Sequence, residues 1–554
     1  MVSRRGVSED ERAGEAGPDV RAASVIGVLG AGTMGAGIAQ LAARAGAQAL
    51  LYDPVPEALS TGLERVAAGL HKEAARSGAS ADGRAHAEAA LARVQGVDDL
   101  AALASCELVI EAAPERLELK HELFARLSDI VAERCVLATN TSSLPVTAIA
   151  AAAAHPERVV GMHFFNPAPV MRLVEVIAGE QSAEAAIARA RATGEAMGRR
   201  VILAADGPGF LVNRCGRPFG MEALRLAQER LAGFEQIDRI CRLGAGFRMG
   251  PFELMDLVGV DTGYDVQRSF WELSFGEPRW RPSPITARMV AAGRLGRKAG
   301  RGYYEYPDES GPHRPDDAEP PAPGGGHGLV VVAGDLPVAG ALREAVAAVG
   351  YTVADAVDLG GEPPWLIVDC GLGELDAESS DPEPLQSGPR LVLCADGSLA
   401  ALDPAGTAAG FHVLPPLDGA RLVELTRAAT TSDAAAERAT RFFATLGKHV
   451  EWVGDAPGLV LGRIVCQLVN EAAFALVEGV GTPEDIDAGM LLGLNHPHGP
   501  LHWADKIGLD HVLAVLDALA DEYREERYRA CPLLRRLVAE GRLGLATGAG
   551  FFEH

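Results

Sequence analysis

The 554-residue chain has no run of eighteen consecutive apolar residues, so no membrane-spanning helix is expected. A twin arginine, Arg4-Arg5, lies near the start, but no apolar segment follows it. An export signal is therefore not expected, and residues 1–23 read as a disordered tail on a cytoplasmic protein. The eight cysteines form no CxxC pair and no metal-ligand spacing, which predicts free buried thiols and no metal site. Basic residues are outnumbered, 51 Lys+Arg against 75 Asp+Glu, for a formal net charge of −24 with no basic patch to set against it. That field repels a phosphate backbone, so nucleic acid is not an expected partner. What remains is the ordinary composition of a globular protein, 48% hydrophobic and 23% charged, in a chain too long for one core. Two to four domains are expected.

Residues 25–54, "VIGVLGAGTMGAGIAQLAARAGAQALLYDP", carry the densest pattern. Residues 24–29 predict a short buried strand, Gly30-Ala31-Gly32-Thr33-Met34-Gly35 a tight turn, residues 36–45 a helix and residues 47–53 a second strand. In this order a GxGxxG loop can hold a dinucleotide. Gly30 allows the turn, Gly32 lets backbone approach a pyrophosphate, Gly35 lets helix and strand pack, and the helix N-terminus offers unpaired N–H groups. Asp53 ends the second strand, eighteen residues past Gly35, where a carboxylate accepts from ribose hydroxyls and repels a 2′-phosphate. The expected cofactor is NAD rather than NADP. "ELVIEAAPE" (107–115) and "CVLATNTSSLP" (135–145) read as further strands whose polar loops face that cofactor.

Beyond them, "GMHFFNPAPVMRLVEVI" (161–177) places Glu175 twelve residues after His163. A histidine can take a proton from an alcohol at neutral pH, and a carboxylate on its other nitrogen fixes the tautomer. The spacing alone fits a structural pair as well. Together with "GAGTMG", "NTSSLP", "DGPGFLVNR", "GAGFRMGPFELMDLVGVD" and "GRKAGRGYYEY", however, this stretch resembles, in order and spacing, the L-3-hydroxyacyl-CoA dehydrogenase family from about residue 25 to 306.

The resemblance implies an α/β Rossmann-type dinucleotide-binding domain followed by an all-α C-terminal domain, with NAD as cofactor and an acyl-CoA as substrate. It implies that His163 is the catalytic base, that Glu175 is its partner, and that Ser142 and Asn213 contact the hydroxyl or thioester region of the substrate. Glu115, Lys120, Asn140, Asn166 and Lys298 would line the cofactor side or the adjoining cleft, with the glycine loop and Asp53. Each has a plain reading too: Ser142 as a helix cap, Asn213 as a partner for buried backbone, Lys298 as a solvated charge. The family holds CoA with the helical region after Asp53, where Arg65, Lys72 and Arg76 share one helix face. They meet CoA phosphates or form an ordinary solvated face. The implied reaction takes the C3 hydroxyl proton to His163 and the C3 hydride to the nicotinamide.

The chain also repeats itself. "GMHFFNPAPVMRLVEVI" is echoed by "GFHVLPPLDGARLVELT" (410–426) and "DGPGFLVNR" by "DAPGLVLGR" (455–463). One offset of 249 residues carries His163 to His412, Glu175 to Glu424, Glu222 to Glu471 and Asp238 to Asp487. The second copy retains only Gly334 of the glycine fingerprint and has Pro415 for Asn166 and Gly462 for Asn213, so a second dinucleotide site is not expected. Residues 307–328, rich in Pro, Gly and acid, read as a linker that divides the chain cleanly. The expected order is a tail (1–23), a Rossmann domain (24–205), a helical domain (206–306), the linker (307–328), a degenerate Rossmann-like domain (329–454) and a second helical domain (455–554). Amphipathic runs such as "LGRIVCQLVNEAAFALVEG" predict that the two helical domains pack together as an intrachain pseudo-dimer; further homo-oligomers are compatible with it. The tandem form resembles the longer bacterial members of the family, 3-hydroxybutyryl-CoA and 3-hydroxyadipyl-CoA dehydrogenases among them, which implies a short or dicarboxylic acyl chain and a place in fatty-acid metabolism. Two other readings stay open: a dehydrogenase of the same plan acting on a free hydroxy acid or sugar acid, and a non-catalytic acyl-CoA- or NAD-binding regulator.

Overall fold

The computed structural model describes residues 21–76, 81–308, 311, 317–355, 363–372, 389–404 and 406–554. Residues 1–20 of the expected tail, and 309–310 and 312–316 of the expected linker, lie outside the described residues. The chain forms two compact units, the first ending at Phe210 and the second beginning at Leu211.

In the first unit the apolar runs become eight strands: β1 (Val25–Leu29), β2 (Gln48–Tyr52), β3 (Val94–Val97), β4 (Leu108–Glu111), β5 (Val136–Thr139), β6 (Val159–Phe164), β7 (Leu173–Ala178) and β8 (Arg200–Ala205). Their order is β3-β2-β1-β4-β5-β6-β7-β8, parallel throughout except between β6 and β7. Ile26, Val28, Leu108 and Ile110 pack with Ile38 and Leu41 of the helix Thr33–Arg44 and Val66 and Leu70 of the helix Pro56–Arg76. Leu29, Val109 and Leu137, of the opposite parity, are equally buried. A sheet covered on both faces explains why its strands read as unbroken apolar runs rather than alternating ones.

The strand order reverses between β1 and β4, the place where open α/β sheets bind ligands. Gly30 turns the chain there with φ +93°, and a Cβ on it would fall 2.6 Å from the Ala112 carbonyl oxygen. Only glycine fits. The following helix begins at Thr33 rather than at Ala36. Thr33, Met34 and Gly35 are its first turn and not loop, because Gly35 lies directly over the Gly30 carbonyl, where a Cβ would fall at 1.7 Å. The two flanking strands are also shorter than expected, Val25–Leu29 and Gln48–Tyr52.

The second unit holds the helices Arg217–Glu229, Phe234–Ala245, Pro251–Val258, Val260–Leu273 and Pro284–Ala291, then a second sheet, then the helices Leu461–Val477, Pro483–Gly493, Pro500–Ile507, Leu509–Tyr523 and Pro532–Ala539. That sheet comprises β9 (Leu329–Ala333), β10 (Thr352–Ala354), β11 (Leu366–Asp369), β12 (Arg390–Leu393), β13 (Ala409–His412), β14 (Leu422–Arg427) and β15 (His449–Val453), ordered β10-β9-β11-β12-β13-β14-β15. Among the described residues it repeats the first sheet without the outermost β3, down to the antiparallel pair β13–β14 in place of β6–β7. The repeated sequence is a repeated fold.

The linker does not divide the molecule as its composition suggests. Asp317 pairs with Arg239 at 3.3 Å and Arg242 at 3.0 Å, on the helix Phe234–Ala245. The Arg421 N–H donates to the Leu243 carbonyl at 2.7 Å, and the Gly454 N–H to that of Leu231 at 2.7 Å. The first helical segment is thereby bound to the second sheet, and the compact boundary falls at Phe210/Leu211 instead. The helix Leu461–Val477 is buried almost all round because the helix Arg217–Glu229 flanks it as well as Pro500–Ile507 and Leu509–Tyr523.

Candidate active site

The antiparallel return from β6 to β7 sets His163 directly across from Glu175. His163 Nδ1 lies 2.6 Å from Glu175 Oε2, and Glu175 is fully buried. An ionised carboxylate only accepts, so Nδ1 carries the proton and the lone pair of Nε2 points the other way. There the Ser142 hydroxyl stands 3.1 Å from Nε2. Phe165 and Phe210 pack on the imidazole with ring centroids 4.6 and 6.0 Å away, which leaves His163 only 5% exposed. The ring is held in orientation, with Nε2 hydrogen-bonded to the Ser142 hydroxyl.

Ser142 owes its position to a network of which the family resemblance gave Glu115 and Lys120, as cofactor-side residues, and sequence reasoning missed Glu111, Thr139 and Thr141. Glu115 Oε1 accepts from the Thr141 hydroxyl at 2.7 Å, from the Ser142 and Ser143 N–H groups at 3.0 Å, and from the Ser143 hydroxyl at 3.0 Å. Burial would raise the Glu115 carboxyl, but the Lys120 charge and these donors outweigh it and hold it below the usual range. Lys120 is 1% exposed, and its ammonium donates to both oxygens of Glu111 at 2.7 and 2.8 Å and lies 3.5 Å from Glu115. Lys120 therefore touches the loops that form the site, not its open face. Glu111 also accepts from the Thr139 hydroxyl at 2.7 Å. The available signal was an acid ending an apolar strand nine residues before a lysine.

On the same sheet edge, Asp53 accepts from the Ala31 N–H at 2.8 Å and the Val55 N–H at 3.0 Å, bracing the glycine loop. Gly32 and Thr33 are exposed, and a Cβ added to Gly32 would meet nothing within 4 Å. Open space at Gly32 against closed space at Gly30 and Gly35 is what a pyrophosphate cradle requires, so these residues fit a dinucleotide. Asn140 accepts the Phe164 N–H at 2.8 Å, joining the ends of β5 and β6, and Asn166 is exposed beyond β6. Arg65, Lys72 and Arg76 are exposed on the helix Pro56–Arg76, away from its buried Gly62, Val66, Leu70 and Ala74. Two expected site residues belong to the second unit: Asn213, on the short helix Val212–Cys215, and Lys298, paired with Asp261 at 2.7 Å.

The second copy keeps the scaffold with other residues at the positions of the site. Gly334 makes the same turn as Gly30, with φ +103° and a Cβ position 2.6 Å from the Cys370 carbonyl oxygen. Leu336, buried, and Ala339 then stand where the first loop has Gly32 and Gly35. Pro337 opens the helix Pro337–Ala348, removing one N–H from the end that would face a phosphate. His412 pairs in register with Glu424, yet Glu424 accepts from the Val460 and Leu461 N–H groups at 2.7 and 2.8 Å, and His412 Nδ1 has no hydrogen-bond partner among the described residues. His412 Nε2 instead lies 3.1 Å from His511 Nε2. A Cβ on Gly462, the counterpart of Asn213, would fall 2.4 Å from the His412 ring, so no side chain fits there. Burial keeps His412 and His511 neutral, His511 down to about 4, and raises Glu424 to about 8.

The profile described as "3-hydroxyacyl-CoA dehydrogenase, NAD binding domain" matches residues 25–207, and that of the C-terminal domain matches twice, over 209–306 and 458–554. The chain is similar to 3-hydroxyadipyl-CoA dehydrogenase of Escherichia coli K12, 37% identical over 92% of this chain and 96% of that protein. It is 40% identical to human mitochondrial hydroxyacyl-coenzyme A dehydrogenase over 50% of this chain and 90% of that one. A crystal structure of 3-hydroxybutyryl-CoA dehydrogenase from Escherichia coli K12 superposes with a TM-score of 0.78 at 34% identity, covering 95% of this chain and all of that one. No helix among the described residues is long and apolar enough to cross a membrane. With its NAD-binding fold, its helical partner domain and the repeat of both, the chain belongs to the 3-hydroxyacyl-CoA dehydrogenase family of NAD-dependent oxidoreductases.

Proposed function

We propose that this chain oxidises the 3-hydroxyl of a short-chain (S)-3-hydroxyacyl-CoA to the 3-oxo thioester, at one site, with His163 as the proton acceptor. The observation that carries the reading is a histidine whose Nδ1 is bound to a fully buried carboxylate and whose Nε2 is hydrogen-bonded to the Ser142 hydroxyl at 3.1 Å. When bound, NAD supplies the two-electron acceptor. His163 Nε2 takes the C3 hydroxyl proton, and Glu175 stabilises the imidazolium that forms. The Ser142 hydroxyl hydrogen-bonds the same substrate oxygen as its charge changes. In reverse, the imidazolium returns the proton to the forming alkoxide. The Glu111–Lys120–Glu115 network keeps the Ser142 loop in place during both directions. Asn213 contacts the thioester region, and Arg65, Lys72 and Arg76 meet the CoA phosphates.

The short or dicarboxylic acyl chain is supported by the relatives similar over nearly the whole length, whose names specify 3-hydroxyadipyl-CoA and 3-hydroxybutyryl-CoA. We read the contact between the helical segments as an internal counterpart of a dimer interface. In its support, Arg214 pairs with Glu471 at 2.8 Å while Arg463, 249 residues on, pairs with Glu222 at 2.6 Å. A reducing compartment such as the cytoplasm is supported by eight cysteines that are all buried and free.

The test is NADH absorbance with acetoacetyl-CoA against free acetoacetate. Turnover of the thioester is expected. Activity confined to the free acid would replace this reading with that of a hydroxy-acid dehydrogenase, and NADH binding without turnover of either would leave the regulator.

A further inference from the structure

Two copy-related clusters of arginine and glutamate join the helical segments of the second unit, and they differ in charge at one position. In the first, Arg214 Nε and Arg279 Nη1 lie 2.8 and 2.9 Å from the two oxygens of Glu471. The guanidinium groups of Arg279 and Arg529 stand 4.1 and 5.3 Å from the ring centroid of Phe474, itself buried. Cations over an aromatic face are attracted to it, so this cluster is filled and its charges are accommodated.

The copies keep an offset of 249 residues up to the helix Leu509–Tyr523 and 248 after it, where "EPRWR" (277–281) matches "EERYR" (525–529). The helices Pro284–Ala291 and Pro532–Ala539 keep the second offset. In the second cluster Arg463 therefore stands for Arg214, Glu222 for Glu471, Arg527 for Arg279 and Arg281 for Arg529. The place of Phe474 is taken by Arg225. A third guanidinium replaces the ring that two others would clasp.

Here a cavity of about 330 Å³ opens, walled in part by Arg225, Arg281 and Arg527. Its charges do not balance. Glu222 is engaged by Arg463 at 2.6 and 3.0 Å and by the Tyr528 hydroxyl at 2.8 Å, which leaves Arg225 a contact of 3.4 Å. Glu229, also in the wall, is taken by Arg463 at 2.7 Å and the Tyr523 hydroxyl at 2.9 Å, with Arg527 at 3.6 Å, and Glu525 is taken by Arg527 at 3.0 Å. Arg281 has no carboxylate partner among the described residues. Burial lowers the Arg225 guanidinium below its usual range in spite of Glu222, and Arg527 adds to the effect.

We propose that this cavity binds a compact oxyanion, the phosphoryl or carboxylate group of a small ligand, between Arg225, Arg281 and Arg527. Guanidinium forks match the paired oxygens of either group. The ligand would touch Arg225 and Arg281 of one helical segment and Arg527 of the other, so binding strengthens their contact and raises the melting temperature.

Calorimetric titration of the full chain tests this, with inorganic phosphate in one arm and succinate in the other, at constant ionic strength and with NADH saturating the glycine loop. A saturable site for at least one of them is expected, and the tighter binder identifies the group. Affinity should fall about tenfold or more in Arg281→Gln, as for loss of a charge-assisted contact. It should vanish in Arg225→Phe, which restores the ring of the sister cluster and should melt no lower than the unmodified chain. Absence of saturable binding for both anions, or equal affinity in the unmodified chain and the variants, overturns the proposal. If Arg225→Phe does not fold, Arg281→Gln, at an exposed position, decides the question alone.

Discussion

His163 and His412 occupy related positions, and their surroundings decide what each can do. His163 has a carboxylate on Nδ1 and a hydroxyl beside Nε2. His412 has an Nδ1 without a hydrogen-bond partner among the described residues and a second imidazole against Nε2. Removing a general base costs roughly 10²- to 10⁴-fold in rate. His163→Ala should lower kcat by that order while His412→Ala leaves it within a few fold, as steady-state NADH formation will show; a large loss for folded His412→Ala would mean that the second copy works. Asp53 allows a second test. Its carboxylate faces the glycine loop, and Asp53→Ala should shrink the preference for NAD over NADP, by about tenfold if the lost discrimination is about 1.4 kcal/mol. Equal kcat/KM for the two cofactors in the unmodified enzyme would contradict the assignment.

At the scale of elements, Glu115 joins the loops after β4 and β5, and Lys120 ties it to the buried Glu111 at the end of β4. Lys120→Met would leave Glu111 charged and unpaired inside the fold, a loss of about 3–5 kcal/mol, and the Ser142 loop should loosen with it. Thermal melting and kcat should both fall; an unchanged melting temperature would show that the pair is dispensable. The relic pocket between β13 and the helix Leu509–Tyr523 predicts a pH effect. Burial holds His511 down to about 4, against an ordinary value of 6.5. Between these values the unfolded chain binds a proton that the folded chain refuses, so stability present above pH 6.5 is lost as pH falls toward 4. His511→Gln should flatten the fall in melting temperature over that window, and an unaltered slope would exclude the residue as its source. These elements also show what was legible in advance. The glycine loop and Asp53 could be read because local spacing dictates them, a turn needing Gly30; the pairing of His163 with Glu175 came only from the family resemblance, since a twelve-residue spacing fits a structural pair equally until the β6–β7 register is known. Glu111, Thr139 and Thr141 could not be read, because their partners come from strands brought side by side only by the folded sheet. The start of the helix at Thr33 was missed because Gly35 reads as loop until its contact with the Gly30 carbonyl is known.

Across the two copies, Arg214–Glu471 and Arg463–Glu222 join the helical segments, and the first glycine loop is open at Gly32 where its counterpart has buried Leu336. Arg463 is fully buried with Glu222 at that contact, whereas Arg268–Glu272 is an exposed pair on a helix face. Arg463→Met should cost about 3–5 kcal/mol by stranding Glu222, and Arg268→Met less than about 1 kcal/mol, in denaturant unfolding of each variant; equal effects would deny the interface its part in stability. The division at the linker, plausible from composition, fails at this scale because Asp317 and the Arg421 and Gly454 backbones tie the first helical segment to the second sheet. The cradle is the more decisive matter. Gly32 leaves open space for a pyrophosphate, while Leu336 and Pro337 close the corresponding loop. Calorimetric titration with NADH counts the cradles directly: one NADH per chain is the expected result, and two per chain would contradict a single working site.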